Sequence, residues 1–549
     1  MQGEKNRGLF RRREKTERTY GKRDTHPFLT GVMILTVSNL LVKTAGLFFK
    51  IPMNFIVGDT GMGYYHSAYS IYTLFYMLST SGLPVALSVM ISESRAEGKI
   101  VSAKRIYRTA LSAFVLTGCA AAALMLFGAG SLADLIRSEK SALSIAVIAP
   151  TMLFICISSA LRGYFQGCGN MIPTAVSQFI EAMGKLMIGV AAASFAIRCG
   201  YPIEMVAAFA AAGLTCGSLL GTVYLLIEKL LRRDRDLLAD GTEILYEKTP
   251  YRTILVRFLK ISVPVTISAS VMSLTNTIDT VMIQRILSET MTEEAAAALY
   301  GNYTSLAVPM FNLPPVLVYP IAYALVPAVA AAYSSKRSKE AGERIESALR
   351  YAVIIGLPCA FGLAVLAEPV LCLFYRDASA HTAASLLTLL APSSFFVCIL
   401  AVTNSVLQAC GEERKPVFSM LCGAAVKCVS GALLLRRYGI AGAPVSTFLC
   451  YLTVTVINFA FVVRVSGIRL HFHRVFLRPL VGSVLCALSA LLIYHMTKIC
   501  LLAVLGAVLV YAAVILWTGA VTKEEIRLLL VRGKGKDVSI ERKNTELKE

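Results

Sequence analysis

Apolar runs of about twenty residues or more recur along the whole chain, separated by short polar or charged connections. A helix of that length crosses the hydrocarbon core of a bilayer, so the pattern predicts an all-α polytopic membrane protein. The hydropathy pattern predicts fourteen spans. They lie near 30–57, 64–92, 109–130, 142–165, 172–197, 203–228, 258–284, 300–333, 351–375, 382–410, 416–435, 440–463, 479–497 and 499–520.

Positive charge is divided unevenly between the two sides of this arrangement. With the N-terminus in the cytoplasm, the tails and inner connections hold 41 of the 54 Lys and Arg residues, and the outer connections hold 8. Positive residues concentrate on the cytoplasmic side of membrane proteins, so both termini are predicted to be cytoplasmic. The net charge of +20 then reflects topology and contact with anionic lipid, and no nucleic-acid partner is predicted.

The chain also repeats a short pattern after six spans. Four residue pairs recur at an offset of 242: Gln166 and Gln408, Cys168 and Cys410, Gly169 and Gly411, and Lys185 and Lys427. Six is an even number, so both copies have the same orientation. This predicts two six-helix lobes related by a pseudo-twofold axis along the membrane normal, followed by two further helices.

The predicted organisation has six segments. They are a basic cytoplasmic tail (1–27), an N-terminal lobe (28–228), a cytoplasmic linker (229–257), a C-terminal lobe (258–465), helices 13 and 14 (466–520) and a charged cytoplasmic tail (521–549).

Two lysines lie inside the first span. Lys43 and Lys50 are seven residues apart, two helical turns, so they point to one side of a helix. Neither has an acidic residue three or four positions away. A lone ammonium at membrane depth costs at least about 2.5–3.5 kcal/mol on insertion scales. The hypothesis is that both lysines line a water-accessible cavity that receives an anionic head group.

Further charges lie in later spans. Lys185 and Lys427 occupy equivalent places in the repeat, and both are predicted to contact substrate. Glu181 lies one turn before Lys185, so a local ion pair is an alternative there. Asp279 shares a helix face with Asn276. These acidic and amide groups are candidates for ion coupling or counter-charge, and a structural ion pair from Asp279 to a first-span lysine is an alternative.

Three polar residues complete the candidate substrate site. Arg162 lies at the inner end of the fourth span, where reaching out to the interface is the alternative. Asn302 and Tyr303 are candidate hydrogen-bonding groups, with polar contact between helices as the alternative.

Signatures of enzymes and cofactors are missing from the sequence. The chain has no phosphate-binding G-x-x-x-x-G-K-[ST], no H-E-x-x-H and no G-x-S-x-G. Its 14 cysteines form no C-x-x-C pair, so no metal or redox site is predicted. The sequence predicts a protein without enzymatic activity, cofactor or metal.

The stretches KTAGLFFKIP at 43–52 and GDTGMGYY at 58–65 resemble the polysaccharide transporter branch of the multidrug/oligosaccharidyl-lipid/polysaccharide exporter superfamily. The resemblance covers about residues 28–520, and the stage V sporulation protein B group and lipid II flippases are the most similar groups. It implies twelve helices around a central cavity and two more that form a groove for a lipid tail. It also implies that basic residues of the first span hold a pyrophosphate. Lys43 falls at the first such position and Lys50 near the second.

The resemblance implies a flippase in the bacterial cytoplasmic membrane that moves an undecaprenyl-pyrophosphate-linked saccharide by alternating access. The substrate would be a peptidoglycan precursor or polysaccharide repeat unit, with H⁺, Na⁺ or the membrane potential as the driving force. We expect membrane lipids as surroundings and a monomeric chain. Two alternatives are a cation-coupled multidrug exporter of the same superfamily and a non-transporting scaffold in envelope synthesis.

Overall fold

The computed structural model describes residues 25–232, 250–334, 338–375, 377–467, 471 and 473–519. Throughout these ranges the chain is helical apart from short turns, and they contain no β-strand. The all-α prediction is confirmed. The predicted tails up to residue 24 and from 521, and linker residues 233–249, lie outside the described residues.

Nineteen α-helices follow one another in the described ranges. The first ten are α1 Thr25–Thr80, α2 Leu83–Ala96, α3 Ile100–Phe127, α4 Ala129–Leu135, α5 Ala142–Ile148, α6 Thr151–Gly167, α7 Ile172–Arg198, α8 Ile203–Arg232, α9 Tyr251–Leu287 and α10 Glu293–Asn302. The others are α11 Val308–Phe311, α12 Leu313–Ser334, α13 Ser338–Val365, α14 Ala367–Phe374, α15 Asp377–Ala409, α16 Arg414–Tyr438, α17 Gly442–Ser466, α18 Arg478–Thr497 and α19 Cys500–Trp517.

Ten helical stretches in the described residues are long and apolar enough to cross a membrane, or eleven if the pair α10–α11 and α12 counts as one. Two of them, Phe49–Ala96 and Arg414–Ser466, contain 48 and 53 residues. Each is long enough for two crossings of about 20 residues. The predicted number of fourteen spans therefore stays a prediction, while the many-span architecture is confirmed.

Two glycines mark breaks in helical geometry in and directly after α1. Gly58 has φ 73 and interrupts helical geometry within α1, where the first predicted span ends. A left-handed φ of this kind is readily adopted only by glycine. The second predicted span, 64–92, is divided at Gly82. A side chain there would collide with the carbonyl oxygen of Ser262 on α9, so the close approach of two helices requires glycine.

The repeated sequence pattern has a structural basis at the ends of two helices. Gly169 after α6 and Gly411 after α15 have φ 81 and 75. The amides at these positions donate to the carbonyls of Gln166 and Gln408, and the next amides donate to Phe165 and Leu407. Both ends are therefore Schellman-type caps. The repeated motif therefore forms the same C-terminal helix cap at equivalent positions of the two copies.

A second pair of contacts follows the same repeat. A β-carbon added at Gly118 would lie 3.2 Å from the sulfur of Cys156. A β-carbon added at Gly356 would lie 3.2 Å from the sulfur of Cys398. Each pair brings a glycine of one helix against a cysteine of a neighbouring helix. These matches favour an internal duplication, and the lobe boundaries stay a prediction.

The helices form two compact units. The first comprises the described residues up to Pro309 with Phe374–Ala383 and Ala424–Ser446, and the second comprises Met310–Leu373, Ala384–Gly423 and the described residues from Thr447. In the second, α18 and α19 pack together, and the Tyr511 hydroxyl donates to the Ile354 carbonyl at 2.7 Å.

Glycines set the packing of α7 against α8 in the first unit. A side chain at Gly213 would lie 2.8 Å from the carbonyl oxygen of Lys185, and Gly184 similarly meets the backbone of Gly217. Small residues let membrane helices approach backbone to backbone. This packing fixes the position of α7, which carries several of the candidate site residues.

Candidate functional site

An ammonium group surrounded by aromatic rings lies in the first unit. Lys185 Nζ on α7 is 4.8 Å from the ring centres of both Phe49 and Tyr69 on α1, and 5.8 Å from that of Tyr65. Aromatic faces attract a cation at such distances. The alternative of a local ion pair with Glu181 is wrong, because Glu181 binds Arg162 in this structure.

Lys50 lies next to Phe49 on α1. Its Nζ donates to the Thr304 carbonyl at 2.9 Å. Thr304 belongs to a π-helical stretch, Tyr303–Ala307, between α10 and α11. Lys185 lies over the ring of Phe49, the residue next to Lys50, and His66 packs against Tyr65 and Tyr69, two rings that Lys185 also faces. Two lysine amines in one part of the structure are groups that can bind an anion.

Two buried polar groups near these lysines have no hydrogen-bond partner among the residues that the structure describes. The Tyr65 hydroxyl and His66 Nε2 are buried and make no hydrogen bond within the described part of the chain. The two rings meet edge to face at 5.3 Å. Buried polar groups are nearly always hydrogen-bonded, so such a pair requires an explanation. A ligand that accepts hydrogen bonds would provide one.

We call this arrangement the cationic–aromatic cluster. Its members are Phe49, Lys50, Tyr65, His66, Tyr69 and Lys185. Among the described residues, no carboxylate forms an ion pair with either of its lysines. The cluster has the chemistry of an anion site, because it offers two lysine amines and unsatisfied polar groups with no carboxylate of the described chain paired to the amines.

Arg162 and Glu181 form an ion pair between α6 and α7. Arg162 Nη2 lies 2.8 Å from Glu181 Oε2, and its Nε donates to the Ser177 hydroxyl at 3.0 Å. The Arg162 side chain is 12% exposed. The alternative that Arg162 reaches out to the interface does not hold, since Arg162 points to α7.

Lys427 and Asp279 form a second buried pair. Lys427 Nζ on α16 lies 3.1 Å from Asp279 Oδ2 on α9, and the side chains are 10% and 13% exposed. The sequence suggested a first-span lysine as the structural partner of Asp279, but the partner observed among the described side chains is Lys427. A charge already satisfied by a carboxylate has less reason to bind an anionic ligand.

The other predicted residues differ in their surroundings. Asn302 is buried, and its side-chain oxygen accepts no hydrogen bond from the described residues. Tyr303 is buried as well, whereas the Asn276 side chain is exposed. The backbone of Lys43 lies in α1, but its side chain lies outside the described residues.

The structure thus adds four residues that sequence reasoning missed: Phe49, Tyr65, His66 and Tyr69. A histidine inside an apolar span, beside tyrosines spaced four apart, was a usable signal. No group of three metal-ligating side chains occurs in the described ranges.

A sequence model described as "Polysaccharide biosynthesis protein" matches residues 28–333, more than half of the chain. The chain belongs to the polysaccharide biosynthesis protein family. The predicted membership of the polysaccharide transporter branch of the exporter superfamily is confirmed. A second model, MatE, matches residues 264–433.

Three proteins from Bacillus subtilis strain 168 are similar to this chain over most of their length. Stage V sporulation protein B is 27% identical, over 80% of this chain and 84% of that protein. Lipid II flippase MurJ is 23% identical, over 80% and 83%. An uncharacterized membrane protein, YabM, is 26% identical, over 85% and 86%.

Solved structures share the fold of this family member. Lipid II flippase MurJ in an inward closed conformation has a TM-score of 0.67 at 14% identity, covering 88% of this chain and 98% of that one. An inward-facing multidrug resistance MATE family transporter of the MOP superfamily has a TM-score of 0.61 at 15% identity, covering 77% and 98%. These likenesses, with the apolar helices, make this a multi-pass membrane protein.

Proposed function

We propose that this protein is a flippase that moves an undecaprenyl-pyrophosphate-linked saccharide across the bacterial cytoplasmic membrane by alternating access. A lipid II-like peptidoglycan precursor or a polysaccharide repeat unit is the substrate. The observation that carries the proposal is the cationic–aromatic cluster, which has two lysines and no paired carboxylate among the described residues.

A pyrophosphate fits the chemistry of this cluster. Each phosphate group carries negative charge and several acceptor oxygens, which can bind ammonium groups and the Tyr65 hydroxyl. Lysine is a compact point charge with three donors, so it tolerates more than one phosphate geometry. The aromatic rings around Lys185 hold its ammonium in place without neutralising its charge. Lys43, on the same helix, belongs to the proposed site by its spacing from Lys50.

Charge neutralisation connects binding to transport. A ligand shifts a conformational equilibrium only by its differential affinity for the two states. An anion bound by both Lys50 and Lys185 offsets their like charges, so a state that holds both lysines on the anion is favoured when the ligand is present. The membrane potential supplies about 2.3 kcal/mol per charge per 100 mV, enough to drive the return of the empty carrier. Coupling to an H⁺ or Na⁺ gradient is an alternative source of energy. We also propose that both termini face the cytoplasm.

The drug-exporter alternative is less well supported by the charges. A carrier of organic cations requires carboxylates whose negative charge is not already offset by a basic side chain of the protein. Asp279 and Glu181 each bind a basic side chain of the protein instead. We therefore assign these acids a role as counter-charges. The other alternative, a non-transporting scaffold, predicts that substitutions in the cluster leave function intact.

Complementation of a bacterium depleted of its lipid II flippases tests the proposal. The parent chain should restore growth, while Lys50→Ala and Lys185→Ala should not, at equal membrane levels measured by immunoblot. Lys140→Ala is the matched control, because Lys140 is an exposed lysine outside the cluster. Equal rescue by all variants would refute the role of the cluster, and no rescue by the parent would refute a lipid II-like substrate.

A further inference from the structure

Four tyrosines form a continuous row on one face of α1. They are Tyr65, Tyr69, Tyr72 and Tyr76, which we call the tyrosine ladder. Spacings of four, three and four residues place them on the same face of a helix. Successive ring centres are 6.0, 5.5 and 5.9 Å apart. The row therefore begins in the cationic–aromatic cluster and continues well beyond it.

Polar side chains of α7 lie on the helix face that is turned to the tyrosine ladder. Gln178, Glu181 and Lys185 lie three and four residues apart, on one face of α7. Lys185 lies over the Tyr69 ring, so this face of α7 is turned to the ladder. Glu181 lies one turn along this face of α7 from Lys185, and Arg162 is paired with it there.

A buried acceptor that no described residue contacts by a hydrogen bond lies on this face of α7. The Gln178 side-chain oxygen is buried and receives no hydrogen bond from the described residues. Tyr69 and Tyr76 are only half-buried, whereas Tyr65 and Tyr72 are buried. A row of aromatic side chains at helical spacing is most often simple core packing. A core of that kind does not need an amide, a carboxylate and a guanidinium along its edge.

We infer that the tyrosine ladder and the polar edge formed by Gln178, Glu181 and Arg162 bind the saccharide portion of the substrate. A pyranose ring has an apolar face of C–H groups that packs on aromatic rings. Its rim of hydroxyls donates to and accepts from planar polar side chains such as amide, carboxylate and guanidinium. The inference rests on the proposed function, since it places the sugar beside the phosphate site.

The dimensions agree with that arrangement. Glu181 lies four residues from Lys185, which corresponds to about 6 Å along the helix. A sugar joined directly to a phosphate held by Lys185 therefore reaches the level of Glu181. From Tyr65 to Tyr76 the ladder extends over eleven residues, or about 16 Å, which is long enough for a short saccharide.

Binding to two probes tests the inference with the full-length protein in lipid nanodiscs. One probe is radiolabelled undecaprenyl pyrophosphate, and the other is the same lipid carrying one N-acetylglucosamine. Tyr76→Leu and Gln178→Ala should each weaken binding of the sugar-bearing probe by about tenfold, with binding of the sugar-free probe unchanged. Tyr76→Phe, which keeps the ring, should retain most of the affinity. Tyr201→Leu is a control for an exposed tyrosine outside the ladder.

The outcomes separate the inference from the proposed function. If Lys50→Ala and Lys185→Ala leave binding of the sugar-free probe unchanged, the phosphate role of the cluster is wrong. If the lysine variants weaken both probes while Tyr76→Leu and Gln178→Ala weaken neither, or weaken both equally, the saccharide site is refuted. Should Tyr76→Leu fail to give a monodisperse protein, Gln178→Ala decides the test by itself.

Discussion

Replacing Lys427 by methionine should destabilise the protein strongly, because Asp279 then loses its counter-charge. The change keeps most of the side-chain volume and removes the ammonium. In the described residues Asp279 pairs with Lys427 alone, at 3.1 Å, and both side chains are nearly buried. The carboxylate would be left charged in an apolar environment or would have to take up a proton.

The size of the effect follows from the distance and the burial. At 3.1 Å and an effective dielectric constant of about 20, the attraction between the two charges is about 5 kcal/mol. Desolvation of both groups offsets much of this gain, so the net value of the pair is smaller. Removing one partner of a buried pair nevertheless costs about 3–5 kcal/mol, because the remaining charge stays desolvated. Adding Asp279→Asn should therefore recover most of the loss.

Thermal denaturation followed by fluorescence-detected size-exclusion chromatography provides the assay, on detergent-purified parent, Lys427→Met and the double variant. We expect a clear fall in Tm for the single variant and a Tm near that of the parent for the double variant. A double variant as unstable as the single one would refute the ion-pair account. If the double variant is stable but fails in complementation, the Lys427–Asp279 pair has a role in transport beyond stability.

Three further predictions concern packing and charge, each measured as a change in Tm. Gly213→Ala should destabilise the protein because a side chain there meets the backbone of α7, whereas Gly362→Ala, with nothing within 4 Å, should be neutral or slightly stabilising. Gly169→Ala and Gly411→Ala should destabilise to a similar extent, about 1 kcal/mol each, because both residues adopt a left-handed φ. Unequal losses would contradict equivalent caps. Lys140→Ala should change Tm little, since an exposed ion pair contributes at most about 1 kcal/mol, and a loss as large as that of Lys427→Met would contradict the burial argument.

The sequence by itself determined the fold class and the presence of unusual charges. Long apolar runs must form helices in a membrane, where every backbone polar group requires a partner within the helix. Lys50, Lys185 and Lys427 stand out in such runs because a charge at membrane depth is costly. Family membership also followed from the sequence, and the match over residues 28–333 confirms it.

Tertiary structure decided which charges are satisfied and which remain available. Lys427 and Asp279 are 148 residues apart in the chain, and only the packing of α16 against α9 brings them to 3.1 Å. Glu181 is one turn from Lys185, yet it pairs with Arg162, because the packing of α6 against α7 brings those two side chains together. Helical spacing tells which residues share a face, but not which face another helix covers. For the same reason the sequence did not reveal that the Tyr65 hydroxyl and His66 Nε2 would be buried without a hydrogen-bond partner in the described ranges, which depends on the helices packed around them.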